Sequence, residues 1–173
     1  MQQTGSEKKY ALIIGANGGI GREVVNQLSA QQQFDVIFTL SRSEASYTLN
    51  TTTTAAQVIH KVMDTANEVA VKSFVSELKE QGIKLSLVIC TTGILHQQSI
   101  SAGTDDVVTL KPEKRLEDIH ERQLIEYFRV NSILPAIWLQ NLANVVNKQG
   151  AKIVFFSARV GSISENALGG SYG

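Results

Sequence analysis

The sequence predicts an α/β fold in which a parallel sheet is covered by helices on both faces. Three observations favour this class. The apolar run of residues 10–14 has strand length, ends at a cluster of glycines and continues into an amphipathic helix. Further strand-like runs alternate with helix-like stretches along the rest of the 173 residues. Such alternation is typical of parallel strands that are joined by crossover helices.

The glycine cluster after the first strand follows the pattern G-x-x-x-G-x-G over residues 15–21. We expect Gly15 to form a tight turn, Gly19 to let the backbone approach a phosphate, and Gly21 to let the helix pack closely on the strand. A helix that begins at such a turn can bind a nucleotide pyrophosphate at its N-terminus. A glycine-rich loop without a ligand is the alternative, and the flanking strand and helix disfavour it.

The remaining elements follow from the same patterns. Four further strands are predicted over residues 34–40, 58–62, 83–91 and 151–156. A helix over 66–81 is predicted from an apolar stripe formed by Ala66, Val69, Ala70, Phe74, Val75 and Leu78. A second helix is predicted over 116–147. Residues 41–57 are predicted as an irregular connection, and 94–114 as a long loop at the rim of an active site.

Composition excludes several classes. Sixteen basic and sixteen acidic residues give zero net charge without a basic block, so nothing favours nucleic acid or an anionic membrane. No apolar run is long enough to span a bilayer. The single cysteine fits a cytoplasmic protein without an intrachain disulfide, and three scattered histidines predict no metal site. We predict a flexible tail over 1–8 and one domain over 9–173.

Five pieces of the chain, in this order, resemble the short-chain dehydrogenase/reductase family and its C-factor-like branch of carbonyl reductases. They are residues 15–21, Asp64, Thr92-Gly93, Asn131 and residues 157–161. The resemblance implies a doubly wound Rossmann sheet with strand order 3-2-1-4-5 and onward, which binds NAD or NADP. It also implies hydride transfer between the nicotinamide and a small-molecule carbonyl or alcohol. The cofactor-binding residues implied are Gly15, Asn17, Gly18, Gly19, Ile20, Gly21, Ser41, Arg42, Asp64, Thr92 and Gly93.

Two of these positions have a local interpretation as well. Thr65 and Glu68 fit a capping box, which would leave the Asp64 carboxylate free to bind the adenine amino group, as the family implies. Asp64 as a helix cap is the alternative. Arg42, after Ser41, lies where an acidic residue would bind the ribose of NAD, and its fork can pair with the 2′-phosphate of NADP. This favours NADP(H) over NAD(H), the alternative being a solvated surface arginine.

The resemblance assigns the catalytic positions to Asn131 and Ser157. Proline has no N–H, so Pro135 cannot bond the Asn131 carbonyl, and we expect a kinked helix with that carbonyl free. The resemblance implies that this carbonyl holds a water in a proton relay, the alternative being a kinked structural helix with a satisfied asparagine. Family members carry Ser-Ser-x-x-Gly where this chain has Ser157 followed by Ala158. The strict alignment therefore places Ala158 at the catalytic position. We expect Ser157 to replace the usual serine after a small backbone shift and to polarise the substrate carbonyl, the alternative being that this hydroxyl is absent from the site. The stretch Cys90-Thr-Thr-Gly93 stands in place of Asn-Asn-Ala-Gly.

No Tyr-x-x-x-Lys motif, which would supply the general acid, occurs in the 173 residues. In the resembling branch, the stretch like residues 162–173 leads directly into that motif. We therefore expect the C-terminal part of the domain to lie beyond Gly173, and the long helix to form a homodimer or homotetramer. The leading prediction is an NADP(H)-dependent oxidoreductase. A non-catalytic NAD(P)-binding sensor or scaffold, or an inactive fragment, is the alternative.

Overall fold

The computed structural model describes residues 8–49, 56–95, 97–100, 107–111, 113–158 and 161–164. Residues 1–7 of the predicted tail lie outside this part. The chain divides into two compact units, of which the first comprises Met1–Thr91 with Trp138–Phe155 and the second comprises Thr92–Ile137 with Phe156–Gly173. The single domain over 9–173 stays a prediction.

Seven strands occur in the described part of the chain. They are β1 (Tyr10–Ile14), β2 (Val36–Ser41), β3 (Gln57–Val62), β4 (Leu85–Cys90), β5 (Gln97–Ile100), β6 (Val107–Leu110) and β7 (Lys152–Phe155). The first unit contains a parallel five-stranded sheet in the order β3-β2-β1-β4-β7. This confirms the predicted order 3-2-1-4-5, in which β7 is the predicted fifth strand.

The helices lie between these strands. They are α1 (Gly19–Ala30), α2 (Glu68–Glu80), a 3-10 turn (Leu116–Asp118), α3 (Glu121–Phe128), a π-helical turn (Arg129–Ile133) and α4 (Leu134–Leu142). The predicted helix over 116–147 is longer than the observed one: residues 121–142 are helical throughout, whereas Ile119 and His120 are extended and the helix ends at Leu142. Within this helical stretch the backbone changes from four-residue to five-residue hydrogen bonds at the π-helical turn.

Successive side chains of a strand point to opposite faces of the sheet, and in the first unit both faces are covered. Ala11 and Ile13 belong to one buried cluster with Val25 of α1. On the other face, the Phe38 ring of β2 lies 6.3 Å from the Phe74 ring of α2, in an edge-on arrangement. The doubly wound Rossmann architecture is thus confirmed.

The start of α2 differs from the prediction. Its N-cap is Asn67, whose side chain accepts a hydrogen bond of 3.0 Å from the Ala70 N–H, so Thr65 is not the cap. The reason is tertiary, since Thr65 is buried and its carbonyl accepts a bond of 3.0 Å from the indole N–H of Trp138. The stripe also needs one correction, because Val69 is 77% exposed.

The second unit contains an antiparallel hairpin of β5 and β6, which pairs Gln97 with Leu110. This hairpin lies inside the region predicted as a loop over 94–114. Strands of four residues carry little periodic signal, and their pairing partners come from tertiary contact, so the sequence did not indicate them. Residues 101–106, between the two strands, lie outside the described part.

Candidate cofactor and active-site residues

The turn after β1 is fixed by glycine geometry. Gly15 has a φ of +86°, a conformation that residues with a side chain rarely adopt. The N–H groups of Gly15 and Ala16 both donate to the Leu40 carbonyl at 3.0 Å, which ties the turn to the end of β2. The Thr91 hydroxyl, at the end of β4, donates to the carbonyls of Ile14 and Gly15 at 3.1 and 3.0 Å. The sequence analysis missed Thr91.

The other glycines of the turn have different surroundings. A Cβ on Gly21 would lie 2.2 Å from the Gly15 carbonyl oxygen and 3.0 Å from the Ala16 Cα, so only glycine fits. The close approach at Gly21 is thus to the turn after β1, whereas close packing of the helix on the strand itself was expected. A Cβ on Gly18 would lie 3.3 Å from the same oxygen, whereas nothing lies within 4 Å of a Cβ on Gly19. Gly19 thus leaves open space at the helix start.

The first turn of α1 presents donors without a side-chain acceptor. Gly18 is the N-cap and has no side chain, and the first turn contains no acidic residue. Ile20 is 53% exposed. The first N–H groups of a helix have no partner within the helix and carry the positive end of its dipole, so this 12-residue helix can bind an anion. The turn and the open space at Gly19 together fit a dinucleotide pyrophosphate.

Asn17 bonds to the chain after β2. Its Nδ2 donates to the Glu44 carbonyl at 2.7 Å and to the Ser43 hydroxyl at 3.0 Å, and its Oδ1 accepts from the Ser46 N–H at 2.9 Å. Both ends of the amide are thus used inside the protein. A direct contact between Asn17 and a cofactor stays a prediction.

The end of β2 places Ser41 and Arg42 differently. Ser41 is 6% exposed and its hydroxyl donates to the Ser43 carbonyl at 2.5 Å. Arg42 is exposed and forms no hydrogen bond or ion pair with the described residues. Its guanidinium is therefore available to an anionic ligand. The Ser41 hydroxyl is already used in the bond to Ser43. A contact between Ser41 and a cofactor stays a prediction.

Thr39, Tyr47 and His60 form a polar cluster beside the segment that follows β2. Thr39 Oγ1 lies 2.6 Å from the Tyr47 hydroxyl and 3.0 Å from His60 Nδ1, and His60 Nε2 lies 3.0 Å from the Ser43 carbonyl. Burial raises the pKa of Tyr47 above its usual value, while the bond to Thr39 opposes that rise. Sequence reasoning missed Tyr47 and His60, because β3 brings His60 beside Thr39 only when the strands pair.

Asp64 follows β3 in a tight turn. Its Oδ1 accepts a bond of 2.9 Å from the Ala66 N–H, and its carbonyl accepts one of 3.1 Å from the Asn67 N–H. One carboxylate oxygen is therefore used locally, so Asp64 is not wholly freed as the capping-box argument expected. Asp64 itself is exposed. Binding of adenine by its second oxygen stays a prediction.

In the second unit, the Asn131 amide makes a two-point contact with one residue. Its Oδ1 accepts from the Ile94 N–H and its Nδ2 donates to the Ile94 carbonyl, both at 2.8 Å. Asn131 lies in the π-helical turn, where the Leu134 N–H bonds to the Arg129 carbonyl five residues back. The helix irregularity that we expected near Asn131 is present, but as a π-helical turn. The role of its carbonyl in a proton relay stays a prediction.

The other predicted residues of this unit are less constrained. Thr92 Oγ1 is buried and has no hydrogen-bond partner in the described part of the chain. A Cβ on Gly93 would lie 3.7 Å from Asn131 Oδ1, which is an ordinary contact. Ser157 is exposed, and a turn follows it in which the Gly161 N–H donates to the Ala158 carbonyl at 3.0 Å. The functions expected of Thr92, Gly93 and Ser157 stay predictions.

Tyr127 is the second tyrosine with a shifted pKa. Its hydroxyl donates to the Leu95 carbonyl at 2.9 Å. Burial, and secondly the negative charge of Glu113, raise the pKa of Tyr127 above its usual value.

Within the described ranges, no group of three or more His, Cys, Asp or Glu side chains could hold a metal ion. No helix in those ranges is long and apolar enough to cross a membrane.

Comparison with known proteins identifies the class. A family model described as short chain dehydrogenase matches residues 9–173, so the chain belongs to the short-chain dehydrogenase family. Members of this family are oxidoreductases that bind NAD(P)(H) and act on small-molecule substrates. The C-factor-like branch stays a prediction.

Individual relatives are more distant. The chain is 24% identical, over 93% of its length, to the 1-hydroxy-2-glutathionyl-2-methyl-3-butene dehydrogenase of Rhodococcus sp. strain AD45, and 23% identical, over 65%, to a benzil reductase of Saccharomyces cerevisiae. It spans 61% and 43% of these two relatives. A solved short chain dehydrogenase family protein from Francisella tularensis superposes with a TM-score of 0.67 at 19% identity, covering 96% of this chain and 56% of that one. This likeness shows the fold.

Proposed function

We propose that this protein binds NADP(H) and transfers hydride between the nicotinamide and a carbonyl or alcohol. The observation that carries the proposal is the uncapped N-terminus of α1 behind the Gly15 turn, because it presents backbone donors where a pyrophosphate can approach. Carbonyl chemistry is supported by the benzil reductase and the dehydrogenase among the relatives.

The chain's own residues would share the binding between them. The backbone N–H groups after Gly18 would hold the pyrophosphate, and the exposed Arg42 would pair with the 2′-phosphate. The second carboxylate oxygen of Asp64 would accept a hydrogen bond from the adenine amino group. NADP(H), when bound, supplies or accepts the hydride. Thr92 and Gly93 would lie against the cofactor ribose, as the family resemblance implies.

Two residues of the second unit would serve the substrate. The Ser157 hydroxyl would donate a hydrogen bond to the substrate carbonyl oxygen and stabilise the charge that develops there. Its exposure supports access to a ligand. Asn131 would hold a water through its carbonyl, while its side chain fixes the Ile94 backbone.

Loss of NADPH absorbance with a panel of aldehydes, ketones and quinones tests the reaction. Ser157→Ala should lower kcat/KM about a hundredfold, because removal of one donor to a developing oxyanion costs roughly that factor. Ala158→Ser is the matched variant, since it adds a hydroxyl at the position where the family carries one. A Ser157→Ala protein with unchanged kcat/KM would contradict the assignment of Ser157.

A non-catalytic cofactor-binding module is the second candidate, and Ala158 at the family's serine position favours it. NADPH binding without turnover of any carbonyl would support this candidate, and turnover would exclude it.

The preference for NADPH over NADH has its own test. Arg42→Ala should weaken NADPH binding about tenfold or more while NADH binding changes little, since a charge-assisted bond contributes at least that factor.

Assembly and location are further proposals. We propose a homodimer or homotetramer formed through the face of α3 that exposes Ile125 and Phe128, which are 53% and 56% exposed. Light scattering of Phe128→Glu against the unaltered protein tests this contact. A cytoplasmic location is supported by the use of only one cysteine, Cys90.

A further inference from the structure

The side-chain amide of Asn17 makes a set of contacts that the family assignment does not explain. It belongs to the glycine turn after β1, yet its bonds go to the chain that follows Arg42. Glu44 O and Ser43 Oγ accept from Nδ2 at 2.7 and 3.0 Å, and the Ser46 N–H donates to Oδ1 at 2.9 Å. Nδ2 also lies 3.3 Å from the Ser43 carbonyl oxygen, and its two hydrogens suffice for the two shorter bonds.

These contacts fix the orientation of the amide. If its nitrogen and oxygen were exchanged, Oδ1 would face the Glu44 carbonyl oxygen and Nδ2 would face the Ser46 N–H, so two bonds would become repulsive contacts. An aspartate would likewise place a carboxylate oxygen against that carbonyl. The position therefore requires a group that both donates and accepts.

Ser41 and His60 also contact this segment, at the Ser43 carbonyl. The Ser43 carbonyl accepts from Ser41 Oγ at 2.5 Å, and His60 Nε2 lies 3.0 Å from it. Because a carbonyl only accepts, His60 must carry its proton on Nε2 to form that bond. Tyr47 follows this segment, and its ring packs edge-on against the His60 ring with the centroids 6.0 Å apart. The backbone on both sides of Arg42 is thus tied down.

We propose that Asn17 is a positioning residue for cofactor selection, which acts through Arg42 and not by touching the cofactor. Its amide joins the turn that would hold the pyrophosphate to the segment 43–46, and so sets the place of Arg42 before the cofactor binds. An arginine on an ordered backbone loses less conformational entropy when it pairs with a phosphate. This inference rests on the proposed binding of the 2′-phosphate by Arg42.

Calorimetric titration with 2′,5′-ADP and with AMP tests the proposal, because the two ligands differ in the 2′-phosphate. Asn17→Ala should weaken 2′,5′-ADP binding about five- to tenfold, while AMP binding changes less than about twofold. Asn26→Ala, an exposed asparagine on α1, is the matched control and should change neither affinity. Equal losses for both ligands with Asn17→Ala would overturn the proposal.

A double-mutant cycle separates positioning from direct contact. If Asn17 acts through Arg42, Asn17→Ala should have no further effect on 2′,5′-ADP binding in an Arg42→Ala background. If Asn17 touched the 2′-phosphate itself, the two losses would add. Additive losses would therefore refute the role of Asn17 as a positioning residue.

Hydrogen exchange of the ligand-free protein gives a reading that needs no cofactor. The Ser46 amide, bonded to Asn17 Oδ1, should exchange on the order of tenfold faster in Asn17→Ala and at the original rate in Asn26→Ala. An unchanged Ser46 rate would overturn the proposal. If the unaltered protein bound 2′,5′-ADP no tighter than AMP, the NADP(H) proposal would fail, while the Ser46 rate would still report whether Asn17 holds the segment.

Discussion

Replacing Gly21 with alanine perturbs the point where α1 passes closest to the turn after β1. The new Cβ would lie 2.2 Å from the Gly15 carbonyl oxygen, and a contact of 3.4 Å requires a shift of about 1.2 Å between backbone atoms. Neither partner is a flexible side chain, so the cost lies near the upper end of overpacking, about 3 kcal/mol. Alanine recovers up to about 1 kcal/mol of helix propensity. We expect a net loss of about 2 kcal/mol in the free energy of unfolding.

Urea unfolding measures this loss as a lower midpoint at an unchanged m-value, and thermal unfolding should show a Tm about 4–8 °C lower. Gly19→Ala is the matched control in the same helical turn, because nothing lies within 4 Å of its new Cβ and its φ is not positive. It should leave stability unchanged or slightly higher. Gly19→Ala should nevertheless weaken cofactor binding, since its methyl group occupies the space open to a phosphate. A Gly21→Ala midpoint equal to that of Gly19→Ala would refute the steric argument.

Three further substitutions test other contacts. Trp138→Phe should cost about 1–3 kcal/mol of unfolding free energy, because it removes the N–H that satisfies the Thr65 carbonyl and leaves a buried void; urea unfolding measures it. Tyr47→Phe should reduce the loss of stability at alkaline pH, because the pKa of Tyr47 is higher in the folded than in the unfolded protein. The contribution of Tyr47 to the free energy of unfolding is therefore present below the unfolded-state pKa and is lost as pH rises through the folded-state pKa. Asn131→Ala should cost about 1–2 kcal/mol by breaking both bonds to Ile94.

Each of these has a result that would contradict it. A Trp138→Phe protein as stable as the original would mean that the Thr65 carbonyl finds another donor. An unaltered pH profile above about pH 9 in Tyr47→Phe would exclude Tyr47 as a source of the alkaline loss. Asn144→Ala, an exposed asparagine near the end of α4, serves as the control for Asn131→Ala, and equal midpoints for the two would remove the stabilising role of the Asn131 amide.

Sequence patterns predicted the elements whose signals are local. The apolar run at 10–14 identified β1, and the glycines after it predicted a tight turn at Gly15, where φ is positive. Gly21 was predicted to allow close packing, which the structure shows against the turn and not against the strand. The alternation of elements predicted a parallel sheet, and family resemblance gave its strand order. Arg42 is exposed just after β2, and its pairing with a 2′-phosphate stays a prediction.

Local patterns failed where a tertiary contact competes with them. Thr65 and Glu68 have the spacing of a capping box, yet Trp138 engages the Thr65 carbonyl and the helix begins after Asn67. The apolar spacing of residues 116–147 predicted a longer helix than the observed one, which begins after the extended residues Ile119 and His120 and ends at Leu142. The irregularity expected near Asn131 takes the form of a π-helical turn.

The sequence by itself determined the fold class, the glycine turn and the residue types available for binding, because backbone geometry at glycine and strand or helix periodicity depend on near neighbours along the chain. Only the tertiary structure decided what the polar side chains contact. It turned Asn17 towards residues 43–46, brought His60 beside the Ser43 carbonyl and joined Asn131 to Ile94. Hydrogen bonds between residues 17 to 37 positions apart depend on how strands and loops meet in space, which no local pattern encodes.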